Sequence, residues 1–186
     1  MYMIRNTSKL QALLNQEKHI FRSHELAVLW DISNKNTLLV TISRYLKKGI
    51  LYSLRKGIYS TMDPIKLHPY EIGCALAGSL AYISGETVLS QAGAIMQQPT
   101  VITLFGKKSA SFTFGSYSYW CRYLHPTYLI DRTGIEIVNN YAIASPQRAY
   151  ADLKHINPIL YLDNSQAVQP LQEDIYGHST TTRREA

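Results

Sequence analysis

Between Lys35 and Lys56 the chain gathers six cations, Lys35, Arg44, Lys47, Lys48, Arg55 and Lys56, with the polar side chains Asn36, Thr37 and Thr41 among them and no Asp or Glu. Donors and positive charges without a carboxylate suit the holding of anions rather than the passing of protons. Phosphate is the anion that such a run attracts.

The elements that must position these residues can be read around them. Asn36 is expected to cap a helix, because its side-chain oxygen can accept from a first-turn amide, and Gly49 supplies the left-handed residue at the other end. The helix is therefore expected from Thr37 to Lys48. Leu38, Leu39, Ile42, Tyr45 and Leu46 fall on one apolar arc, while Thr37, Thr41, Arg44 and Lys48 line the opposite side at spacings of four, three and four. Taken alone, this helix has a second reading as an ordinary solvated face, though three cations without an acid weigh against it. The next segment argues otherwise: Ile50–Arg55 and Ile58–Thr61 are rich in β-formers and flank Lys56-Gly57, which predicts a hairpin tipped by Arg55 and Lys56.

Upstream, Ser23 is expected to cap a short helix over His24–Trp30, with Leu26, Ala27, Leu29 and Trp30 as its apolar side. Asp31–Lys35 is then the turn between two helices. A short helix, a turn, a longer basic helix and a basic-tipped hairpin together make a winged helix-turn-helix, the unit that lays its second helix in a major groove. Thr7–Glu17, with Leu10, Leu13 and Leu14, is expected as a first helix, and His19–Arg22 as a small strand beside the wing.

Charge divides along the same line. Residues 1–60 carry a net +7 and residues 61–186 a net −1, within a total of +6 over 186 residues. A basic excess confined to one small unit points to a polyanionic partner, and double-stranded DNA is the partner that this unit fits. Pro64 and Pro69 break the pattern, so domains are expected at 1–62 and 63–186.

The second part predicts helices from Pro69 to about Ser79, from a Ser84 cap through Gln91, and from Gln147 to His155 behind Pro146. Between them the period changes to two. Strands are expected at Thr100–Phe105, Ala110–Phe114, Tyr117–Leu124, Ile135–Val138 and Tyr141–Ala144, and a further helix around Val168–Tyr176, with a frayed polar tail after it. The fold class is α+β: a winged helix-turn-helix followed by a mixed α+β domain with an antiparallel sheet.

Glu71, Glu86, His125, Asp152 and His155 are the candidates for catalysis, and no phosphate loop, HExxH helix, GxSxG elbow or zinc spacing joins them. Asp152 and Arg148 stand four apart and can simply pair on one helix face. The sequence therefore predicts no enzyme, cofactor or metal. Cys74 and Cys121 read as reduced, partly buried thiols, and with no membrane-length apolar run or signal sequence the expected location is cytoplasmic. Tyr117, Tyr119, Trp120 and Tyr123, preceded by Phe112 and Phe114, either stack RNA bases or serve core packing and a protein-facing surface.

Three runs resemble those of the AbiEi-type antitoxins and related regulators over about residues 18–155. They are Phe21…Leu26-Ala27…Leu46-Lys47-Lys48-Gly49-Ile50-Leu51…Leu54-Arg55-Lys56-Gly57-Ile58-Tyr59, then Tyr82-Ile83-Ser84-Gly85-Glu86-Thr87-Val88-Leu89, then Ile143-Ala144-Ser145-Pro146-Gln147-Arg148-Ala149-Tyr150-Ala151-Asp152. The resemblance implies an autoregulating repressor of its own operon. It also implies neutralisation of a nucleotidyltransferase toxin without a stable complex. Under it, Thr37, Thr41, Arg44 and Lys48 face the groove, with Asn36 beside them, and Arg44 reads guanine O6 and N7 with its fork. Lys35, Lys47, Arg55 and Lys56 hold phosphates. The expected operator is an inverted repeat bound by two copies, and the alternative is a stand-alone regulator or an RNA- or protein-contacting module with no toxin partner.

Overall fold

The computed structural model describes residues 8–168 and 176. Its fold class is α+β, and the chain forms two compact units, the first ending at His68 and the second beginning at Pro69. That division falls slightly later than 62/63, because Asp63 caps a short 3-10 turn, Pro64–Lys66, through the Ile65 amide at 3.0 Å.

The first unit runs α1 (Lys9–Leu14), β1 (Ile20–Arg22), α2 (Ser23–Leu29), α3 (Lys35–Lys47), β2 (Tyr52–Arg55) and β3 (Ile58–Ser60). Its three strands pair antiparallel in the order β1-β3-β2, which is the winged-helix arrangement, so the small strand does close on the wing. Leu13, Phe21, Leu26, Trp30, Leu38, Ile42, Leu51 and Tyr59 form its core. The Trp30 indole N–H donates to the Lys9 carbonyl at 3.1 Å and its ring lies against Tyr45, which ties α1 and α3 to the end of α2. Helix α1 is shorter than Thr7–Glu17. Ser8 caps it, and only Leu13 turns inward while Leu14 stays exposed.

Ser23 does not cap α2. Arg22 holds the cap position, and Glu25 reaches back to accept from the Arg22 amide at 2.6 Å, leaving Ser23 as the first helical residue. Burial pushes the Glu25 carboxyl up, but that amide and the Lys18 ammonium hold it below its ordinary value.

The second unit runs α4 (Pro69–Ala77), β4 (Tyr82–Ile83), α5 (Glu86–Gln91), β5 (Ile102–Gly106), β6 (Ala110–Phe114), β7 (Tyr117–Tyr123), α6 (Pro126–Ile130), β8 (Ile135–Val138), β9 (Tyr141–Ala144) and α7 (Pro146–Ile156). Six strands lie in the order β6-β7-β5-β4-β9-β8. The sheet is mixed rather than antiparallel: β5 pairs parallel with β7, and β4 with β9, while the other pairings are antiparallel. Helix α4 covers one face, where Gly73 lies so close to Tyr119 that a Cβ would stand 2.7 Å from the ring. Helices α5 and α7 pack together on the other. The helix expected around Val168–Tyr176 and the tail after it lie largely outside the described residues.

Candidate nucleic-acid interface

Helix α3 begins earlier than its sequence suggests. Asn34, not Asn36, is the cap: its Oδ1 accepts from the amides of Asn36 and Thr37 at 2.9 and 3.0 Å. Two asparagines two residues apart are equally good caps by type, and Asn34, whose own backbone is extended as a cap requires, takes the role. Lys35, Asn36 and Thr37 thus form the exposed first turn, where the helix dipole favours an anion. At the other end Lys48 closes the helix, and Gly49 follows with φ +66°.

Burial fixes which way α3 faces. Leu38 and Ile42 are buried and Tyr45 and Leu46 half-buried, so at about 100° per residue the opposite side is centred on Val40. Asn36, Val40, Arg44 and Lys47 make the outward row, at spacings of four, four and three, and all four are exposed. The row Thr37, Thr41, Arg44 and Lys48 lies about a fifth of a turn to one side. Thr41 is withdrawn from that row: it is half-buried, and its hydroxyl donates to the Thr37 carbonyl at 2.8 Å, the local bond that threonine makes inside helices. Leu39, expected among the inward residues, is 46% exposed. Sequence reasoning missed Val40, although its position opposite Leu38 and Ile42 was the available signal.

The wing is anchored to the helix pair at its turn. Gly57 adopts φ +82°, which a side chain disfavours, and its carbonyl accepts the Ser23 amide at 2.9 Å. A register irregularity between Ser53 and Arg55 bends the strand leading into the turn. Arg55 and Lys56 stand exposed at the tip. Among the described residues, none of Lys35, Arg44, Lys47, Lys48, Arg55 and Lys56 forms an ion pair, so their charge is turned to solvent rather than spent within the unit.

The candidate catalytic residues of the second unit are occupied elsewhere. Glu86 pairs with Arg122 at 2.6 Å, and Arg122 stacks 4.0 Å from the Trp120 ring centre. His125 caps α6, His155 stacks on Tyr176 with ring centres 4.3 Å apart, and Glu71 is buried in α4. Among the described residues no three His, Cys, Asp or Glu side chains gather as a metal site.

Arg148 and Asp152 do pair, at 2.8 Å, and both are fully buried. The pair is the centre of a larger knot. Arg148 spends all five donors, on Asp152, the Tyr82 hydroxyl and the carbonyls of Tyr128, Asp131 and Thr133. Asp152 also accepts from Tyr82 at 2.9 Å, from Ser84 at 2.7 Å and from Tyr176. Ser84 is therefore no cap: α5 begins after Gly85 without a side-chain cap, and the serine hydroxyl serves Asp152. This environment holds the Arg148 guanidinium charged: burial opposes the charge, and Asp152 outweighs it. Burial, with the Asp152 charge, raises the Tyr82 and Tyr176 hydroxyls.

The aromatic run on β7 is split by the strand's period of two. Tyr119 is buried, stacks on Phe112 and donates to the Pro69 carbonyl at 3.0 Å, whereas Trp120 projects from the opposite face. Tyr117 and Tyr123 are exposed, so the four rings form no single stacking surface. No helix among the described residues is long and apolar enough to cross a membrane. Compared with known proteins, the chain matches no family model and no curated protein, so the resemblance to the AbiEi-type antitoxins rests on its three motifs alone.

Proposed function

We propose that the chain is a sequence-specific DNA-binding repressor that acts through its first unit. The observation that carries this reading is that Asn36, Arg44 and Lys47 share the outward face of α3 while Arg55 and Lys56 stand exposed on an anchored wing, the four cations without ion-pair partners among the described residues. Helix α3 enters a major groove, Arg44 donates both arms of its fork to guanine O6 and N7, and Lys35, Lys47, Lys48 and the wing tip hold phosphates. Two copies on an inverted repeat are the expected geometry.

Autoregulation, and neutralisation of a nucleotidyltransferase toxin without a stable complex, extend this proposal on the strength of the motif resemblance. A regulator with no toxin partner is the second reading. It is favoured by one observation: Tyr82, Ser84, Arg148 and Asp152, from the second and third motifs, are consumed in a buried knot that serves the fold.

Arg44→Ala should cost about 1–3 kcal/mol on the preferred site and little on random DNA, whereas Lys56→Ala should weaken both alike and flatten the salt dependence. Gel-shift titration of both variants on both DNAs checks this. Equal losses from Arg44→Ala on specific and random DNA would remove Arg44 from base reading.

A further inference from the structure

Val40 sits at the centre of the outward face of α3, half exposed, opposite the buried Leu38 and Ile42. Its neighbours on that face are Asn36, Ser43, Arg44 and Lys47, all polar or charged. A β-branched residue gains nothing there as a helix former, since valine is among the weaker ones. In a helix, however, its side chain is held in one rotamer, so its two methyl groups are fixed in direction before any partner arrives. An apolar group in that position, amid donors, matches the one apolar feature of the major groove, the C5-methyl of thymine.

We propose that Val40 is a specificity-determining residue that packs against a thymine methyl; this rests on the reading of the first unit as a DNA-binding unit. Arg44 follows Val40 by four residues, a rise of about 6 Å along the helix, and base pairs in B-DNA are spaced about 3.4 Å apart. The thymine therefore lies within one or two base pairs of the guanine that Arg44 reads. Leu39 and Val28 are also exposed, but Leu39 lies on the flank of α3 and Val28 on α2, away from the row that carries Arg44.

The test removes the methyl from the DNA and the side chain from the protein separately. The full chain is footprinted on the DNA upstream of its own reading frame. Duplexes of that site are then made with each thymine replaced in turn by uracil, which lacks only the methyl. The expected result is that one position, or a symmetric pair, loses about fourfold in affinity, the factor that burial of one methyl group corresponds to. Val40→Ala should bind the thymine and uracil duplexes alike at that position while keeping its circular dichroism spectrum and its dependence on the guanine. Native protein that prefers the site yet ignores every uracil substitution would overturn this inference alone, as would a Val40→Ala variant that still discriminates. Native protein with no preference for any fragment would overturn both the DNA-binding reading and the inference.

Discussion

Asn34 and Asn36 separate two jobs that the sequence leaves superposed. Asn34 satisfies two first-turn amides of α3, while Asn36, one turn from Val40, faces outward. Asn34→Ala should destabilise the first unit by about 1 kcal/mol, and Asn36→Ala should leave its stability within roughly 0.5 kcal/mol. Denaturant titration followed by circular dichroism distinguishes them, and equal losses would return the cap to Asn36. Thr41 makes the same point from the other side: at helical spacing it belongs to the polar row, yet its hydroxyl is bonded to the helix's own backbone.

Elements were legible where a strong local signal sets them and illegible where a distant partner does. Strands β6, β8 and β9 lie where alternation places them, Gly49 follows α3, and α7 opens at Pro146 as the sequence suggests, with Ser145 as a cap that only the structure reveals. Strand β4 is only two residues long and carries no period of its own. It exists because β5 and β9 pair with it on either side, and the same pairing makes the sheet mixed, which alternation cannot reveal. Ser84 looked like a cap by type, and only Asp152, far along the chain, shows its use. The knot around Arg148 joins β4 to α7 and to the segment after α6. Removing one partner of a buried pair strands the other charge, so Arg148→Ala should cost the second unit about 3–5 kcal/mol. A denaturation curve in which the second unit's midpoint does not move would contradict the structural role assigned to the knot.

On the scale of the whole molecule, the two units divide charge and burial between them. The basic excess lies in residues 1–60, whereas the second unit holds the larger core and both cysteines. Burial pushes the Cys74 thiol from 9.0 up to about 12 and the Cys121 thiol to about 11. Because the folded values exceed the unfolded one, each thiol's contribution to stability is complete below pH 9 and is lost as pH rises through about 11 to 12. Alkylation at pH 8 should therefore be slow for the native protein and fast after denaturation. Rapid labelling of the folded chain would contradict the burial of both thiols. The division of charge carries the central claim. Five lysines and arginines free for phosphate predict a slope of log affinity against log salt of about −4 to −5 per copy. The most direct test is a gel-shift titration of the full chain against its own upstream DNA and a scrambled fragment at two salt concentrations. The account predicts a preference of orders of magnitude for the upstream fragment, with both affinities falling as salt rises. Equal binding of the two fragments, or binding of neither, would contradict it.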